Sequence, residues 1–349
     1  TNYFQTVPSN FLEGVLWLEA SRMSGLELTD ESLDNEKSVV KEEVRQQQNN
    51  QPFMKTILLD WPATAFSSWQ YSHSIYGSME DLSNAPVQAF KDFFAKYYVP
   101  NNATLVIVGD FDKAKAKSLV AKHFAGIPKG PETTYEFPEE PEQKEAVYKK
   151  VEDPLAPIPA VLVSWDIPAP RTKDRDAIEL LAAVLTNGAS ARLPKKLVDE
   201  EKLALQVIMQ AGFPIPTYGP GQMAAFLIPG NNVDPEKLRE AFWAELHDVQ
   251  KNGVSKAELK RARAKIKKQH IDSLGSTLFK AMQLGTYEAF FGGADKFQGD
   301  YKRFDKIKPA DLKRVANDYL NETRSVTFDI VPGGGGAAGM MGGPLGGGH

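Results

Sequence analysis

Two glutamates pose the first chemical question. In the stretch SLDNEKSVVKEEV, residues 32 to 44, Glu36 and Glu43 stand seven positions apart, with Val39 and Val40 between them and Leu33 and Val44 at either end. Seven residues is about 20° short of two helical turns. A helix here therefore gathers Glu36, Val39, Val40 and Glu43 on one face and turns Lys37, Lys41 and Gln46 elsewhere. On this expectation two carboxylates lie on the apolar, core-facing stripe, where a bare ionised group is costly. Either the glutamates swing to solvent at the edge of the stripe, or they face a cation that removes the penalty, one carboxylate supporting the other. The pattern alone does not choose between them.

Other chemistry is thinly represented. The chain has no cysteine, which excludes disulfides, thiolate metal sites and thiol nucleophiles and leaves His, Asp and Glu as the strong ligands. The histidines, at 73, 123, 247, 270 and 349, never fall at the i, i+4 spacing of a helical zinc site, and no His-Glu-x-x-His or His-x-x-Glu-His occurs. His123 and His247 read as ordinary surface or packing residues. No Gly-x-Ser-x-Gly turn is present, and the glycines of the tail match no phosphate-binding fingerprint. A formal net charge of −4 gives no general attraction to phosphate. The basic run from Lys256 to Lys268 is the exception; it reads as a solvated helix face, with a polyanion site as the alternative that strong salt dependence would reveal.

The elements that must position these residues follow from periodicity. The spacing predicts helices over 10–24, 30–48, 86–99, 112–124, 173–187, 234–251 and from Ser255 to His270, the last opened by a Ser255/Glu258 capping box. Buried strands are expected at ATLVIVGDF (103–111), at 160–165, at QVIMQAGF (206–213) and at GQMAAFLIP (221–229). Residues 52–80 are mixed, and 128–145, charged and bearing prolines, read as a linker. Each half closes on the same order: Pro86, amphipathic helix, Tyr98, Asn101, strand, Gly109 is echoed by Pro309, amphipathic helix, Tyr319, Asn321, strand, Gly333. With 349 residues, this favours two copies of one α+β domain, 1–145 and 146–332, over a doubly wound parallel sheet. The tail, 333–349, reads as flexible. No apolar run approaches a membrane span. The opening TNYFQTVPSN reads as the interior of a longer chain.

The ordered set TNYFQTVPSNFLEGVLWLEASRM, NEKSVVKEEV, YGSMEDL, FFAKYYVPNNATLVIVGDFD, KHFAGIPKG and GASARLPKKLVDEEKLA resembles the insulinase/pitrilysin family of zinc metallopeptidases, the inverzincins, from the first residue to about Val331. The resemblance implies two homologous domains, each a mainly antiparallel sheet with helices packed on one face. It implies that 1–145 is the later part of the zinc-bearing domain and 146–332 its homologue. In this family zinc is held by two histidines of a His-x-x-Glu-His helix and a glutamate from a later helix, with an acidic residue seven positions before it. Carried onto NEKSVVKEEV, this makes Glu43 the third zinc ligand and Glu36 the supporting carboxylate; Glu42 points about 100° away from Glu43.

The resemblance further implies a zinc-dependent endopeptidase acting on short or unfolded peptides. The substrate is expected as an added strand on a sheet edge of the first domain, and the residues that bind it are unassigned. The His-x-x-Glu-His helix is absent from these 349 residues, so the stretch is expected to be N-terminally truncated and inactive alone. The rival reading is a non-catalytic scaffold or partner subunit of the same fold. Expected partners are peptide substrates and a homologous subunit or homodimer, with no nucleic acid and no membrane span. The expected location is periplasmic or secreted in a bacterium.

Overall fold

The computed structural model describes residues 1–134, 139–214 and 216–333. All of the glycine-rich tail beyond Gly333 lies outside them. The longer helices are α1 (Leu12–Ser24), α2 (Asp30–Val44), α3 (Val87–Tyr97), α4 (Lys113–Phe124), α5 (Lys173–Thr186), α6 (Pro235–Asn252), α7 (Lys256–Ser273), α8 (Thr277–Phe290) and α9 (Pro309–Tyr319). The strands are β1 (Val147–Asp153), β2 (Ala160–Ile167), β3 (Ala204–Ala211), β4 (Gly221–Pro229) and β5 (Val326–Pro332). The fold is α+β, and the chain divides into two compact units. One holds residues 1–41, 78–136 and 267–302, and the other 42–77, 137–266 and 303 onward.

The second unit is built on one sheet of order β1-β5-β2-β4-β3, antiparallel throughout except for the β1–β5 pair. Its central strands read as nearly continuous apolar runs because both faces are covered. Alternate residues of β2 go to opposite sides: Val161, Val163, Trp165 and Ile167 to a helical layer of α5, α6 and α9, Ala160 and Leu162 to the other face. The helices bury Ile178, Leu181 and Leu185, then Phe242, Leu246 and Val249, then Leu312 and Val315. Each such side chain contributes on the order of 1.5–3 kcal/mol. The Thr172 hydroxyl caps α5 by accepting from the Arg175 amide at 3.2 Å, and Asp234 caps α6. Gly253, at φ +75°, ends α6 in the left-handed conformation that a side chain would strain.

The opposite sheet face is covered by the chain between Gln51 and Ser72, a run of short helical turns. Phe53 sits at φ +67°, held there by its backbone N–H donating to the Asp153 carboxylate at 2.6 Å, and its ring packs edge-on to Phe226. Trp61 is 0% exposed and donates its indole N–H to Ser164 Oγ on β2 at 2.8 Å. Phe66 and Phe213 meet the indole edge-on.

The first unit is helical among its described residues. α1 packs on α4 through Leu16 and Ala20 against the side carrying Ala116 and Leu119, with Lys122 on Glu13 at 2.6 Å. The strand expected at ATLVIVGDF does not form. The described residues of this unit contain no other strand, and an extended segment without a ladder partner cannot become a sheet strand. Leu105 is accordingly exposed and Val106 to Val108 only half-buried.

Candidate functional site

The helix predicted over 30–48 is regular from Asp30 to Val44 and continues as a widened turn, Arg45–Asn49. Its buried stripe is not the expected one. Leu33 and Val44 are buried, 5% and 2% exposed, and Lys37 and Val40 are partly buried between them, whereas Glu36, Val39 and Glu43 are exposed, Val39 by 60%. At 100° per residue, Glu36 and Glu43 lie about 60–80° round from Leu33, and Val39 further still. The expectation that the two carboxylates face the core is therefore corrected. They do share a face, and it is a solvent face. The reason is Lys37, whose aliphatic stem continues the buried stripe while its ammonium donates to the carbonyls of Ala85 at 2.7 Å and Ser83 at 3.3 Å. Those carbonyls end a short helix, Met79–Asn84, where a cation is favoured.

Around Glu43 the chain folds back on itself. Gln48, just past α2, is buried and accepts from the Ser74 hydroxyl at 2.9 Å. This pins the turn Ser74–Gly77 so that the half-buried Tyr76 reaches the Glu43 carboxylate, with its hydroxyl donating at 3.3 Å. Burial first, and the Glu43 charge second, hold the Tyr76 phenol above its usual range, so at neutral pH it is a donor. Glu42, its neighbour, is engaged differently: it accepts from Gln46 at 2.8 Å and pairs with Arg45, and the Gln46 bond is the leading cause of its lowered pKa. Glu42 is thus occupied along the helix, and Glu43 is held by one phenol. No ion pair or hydrogen bond engages Glu36 among the described residues.

The histidines do not assemble with these acids. His123 lies 3.6 Å from Glu13, His247 lies 3.6 Å from Glu322, His73 stacks on Trp69, and His270 packs against Phe297 and Tyr301; His349 lies outside the described residues. Among the described residues no three His, Asp or Glu side chains come together in a set able to hold a metal. One carboxylate with a phenol donor does not fit Zn²⁺, which takes three protein ligands in catalytic sites. Tyr76, Gln48 and Ser74 were not expected as part of this constellation. The YGSMEDL stretch, which begins at Tyr76, carries no spacing rule linking it to α2, and neither Gln48 nor Ser74 stands in a motif.

The family described as peptidase M16 inactive domain matches residues 84–266. The zinc protease PqqE of Helicobacter pylori is 30% identical over 341 residues, covering 95% of this chain and 74% of that protein. A crystal structure of a protease from Helicobacter pylori superimposes with a TM-score of 0.83 at 27% identity, over 93% of this chain and 77% of that one. The periplasmic protease PqqL of Escherichia coli has the same fold, with a TM-score of 0.76 at 14% identity over 95% of this chain and 37% of that one. No helix among the described residues is long and apolar enough to cross a membrane. A mostly antiparallel sheet under a helical layer, a matched domain across its centre and a zinc protease aligned along nearly its whole length place this chain in the M16 peptidase family.

Proposed function

We propose that the chain is part of a zinc-dependent endopeptidase that hydrolyses short or unfolded peptides, and that residues 1–349 alone are inactive. In this reading Glu43 is a zinc ligand, Glu36 supports it on the same helix face, and the remaining ligands and the general base come from residues outside this sequence. The observation that carries it is the state of Glu43: exposed, presented beside Glu36, oriented by the Tyr76 phenol and free of the Arg45 and Gln46 contacts that occupy Glu42. Such a carboxylate is available to a cation. Residues 1–145 and 146–332 are taken as the two homologous domains, and a periplasmic location is taken from the likeness to PqqL.

A second reading, a non-catalytic partner subunit, is favoured by the description of the matched domain as inactive. The deciding experiment measures zinc content and peptidase activity on the chain extended upstream to its natural start, beside Glu43→Gln and Glu42→Gln. One zinc per chain and cleavage of an unfolded peptide, both largely lost in Glu43→Gln and retained in Glu42→Gln, support the enzyme. Absence of both, or indifference to Glu43→Gln, gives the lead to the partner subunit.

A further inference from the structure

A cavity of about 590 Å³ opens on the second unit between the start of α7 and the segment leading into α9. Lys256, Lys260 and Arg263 stand at i, i+4 and i+7 on one side of it, and Lys306 and Lys308 on the other. The floor is the buried pair Leu259 and Ile307, and Asp305 is the one carboxylate of the lining. All four lysines are exposed, and no carboxylate among the described residues forms an ion pair with any of them. Three arginines of this unit are committed to carboxylates elsewhere: Arg192 to Asp248 and Glu258, Arg239 to Asp329, and Arg314 to Asp174 and Asp318. Arg263 is spent inside the wall, donating to the carbonyls of Phe304 at 3.0 Å and of Ile307, which fixes the segment bearing Lys306 and Lys308.

We propose that this cavity docks an acidic peptide segment. The chain carries net −4, so a cluster of five cationic side chains against one carboxylate is a local reversal of sign that draws an acidic ligand here. The cations available to a ligand are lysines, separate point charges, and the one planar guanidinium that could grip a phosphate in two places is engaged on backbone carbonyls. Lys256 and Lys260, one helical turn apart, have Cβ atoms about 5–6 Å from each other. Carboxylates on alternate residues of an extended peptide are spaced about 6.6–6.8 Å and match that row. The lysine stems and the Leu259/Ile307 floor add apolar surface for an intervening side chain. This site goes beyond the proposed peptidase reading, and neither zinc nor hydrolysis enters its test.

The test is fluorescence anisotropy of the full chain with a labelled octapeptide carrying Glu at alternate positions, beside its Gln counterpart. Lys260→Glu with Lys306→Glu reverses two exposed charges of the site, and Lys115→Glu with Lys117→Glu makes the same change of net charge on α4; melting curves establish that both fold. We expect saturable binding of the Glu peptide at low salt, weakened about tenfold or more by the site pair, less than threefold by the control pair, and at least fivefold on raising salt from 50 to 200 mM. Equal binding of the Glu and Gln peptides, or equal losses in the two pairs of variants, overturns the proposal. So does a site that takes tripolyphosphate or a single-stranded oligonucleotide and ignores the Glu peptide.

Discussion

The Trp61–Ser164 bond holds down the segment that returns Tyr76 to Glu43, and its strength can be measured. Both residues are 0% exposed, and their 2.8 Å bond is the one hydrogen bond found for the indole nitrogen. Ser164→Ala leaves that N–H buried without an acceptor, which costs about 1–3 kcal/mol. Trp61→Phe strands the serine hydroxyl in the same way and also opens space beside Phe66 and Phe213; with a partial cavity contribution of about 1–2 kcal/mol the total is about 3 kcal/mol. The double variant removes both polar partners, so the unpaired-group penalty disappears and the cavity with one net hydrogen bond remains, again about 3 kcal/mol. The expected coupling is therefore about 2 kcal/mol less than additivity. Urea unfolding followed by far-UV circular dichroism reads it without relying on tryptophan emission. Costs that add to within about 0.5 kcal/mol, or a Ser164→Ala variant as stable as the parent, would refute the idea that this bond is buried and unreplaced.

Two further carboxylates, Asp329 and Asp174, test the electrostatics of the same unit. Asp329 on β5 is buried, accepts from Tyr148 at 2.8 Å and pairs with Arg239 on α6, so Arg239→Ala leaves a carboxylate in the interior with a single phenol partner and should cost about 3–5 kcal/mol. Asp329→Asn, which removes the charge but retains an acceptor, should cost distinctly less by the same denaturant assay. The hydrogen bonds of Arg314, with a further one from Tyr319, hold the Asp174 carboxyl below the usual carboxylate range, and burial with the Asp174 bond pushes the Tyr319 phenol up to about 12. A folded-state pKa below the unfolded one adds stability that is complete above about pH 4–5 and is lost as pH falls through the folded value. Melting temperatures between pH 6 and pH 3 should fall less steeply in Asp174→Asn than in the parent; parallel profiles would remove Asp174 from the acid response.

Much of the second unit was legible because its signals are local. Apolar runs marked β2 and β4, and the central part of β3, and the proposed capping box is present, with the Ser255 amide and hydroxyl both bonded to Glu258 at 2.7 Å. The edge strand β1 was missed because VYKKVED alternates weakly and draws its place from pairing with β5, 179 positions later at Val147–Val326. ATLVIVGDF shows the opposite failure. Its composition is that of a strand, yet propensity supplies no partner, and a ladder needs two chains.

The site repeats that lesson at the scale of one helix. Counting hydrophobic letters centred the buried stripe of α2 on Val39 and Val40, because lysine scores as polar at every position. The folded helix is turned toward Leu33 and Val44 since Lys37 finds two helix-end carbonyls for its ammonium and can leave its stem inside. That rotation of about 60–80° changes the meaning of the glutamates. On a buried stripe, Glu36 and Glu43 would need a cation to exist as anions at all. On a solvent face they need none, and the argument for a metal moves from the cost of burial to the selectivity of contacts: Glu42 tied up along the helix, Glu43 offered outward and oriented by a tyrosine brought from 33 positions away. In the proposed zinc reading, the desolvation of Glu43 comes with metal binding and is offset there by the charge of the cation. Glu43→Gln should therefore leave the fold of these residues intact while removing affinity for zinc in the extended chain, a separation that a structural role for Glu43 does not produce.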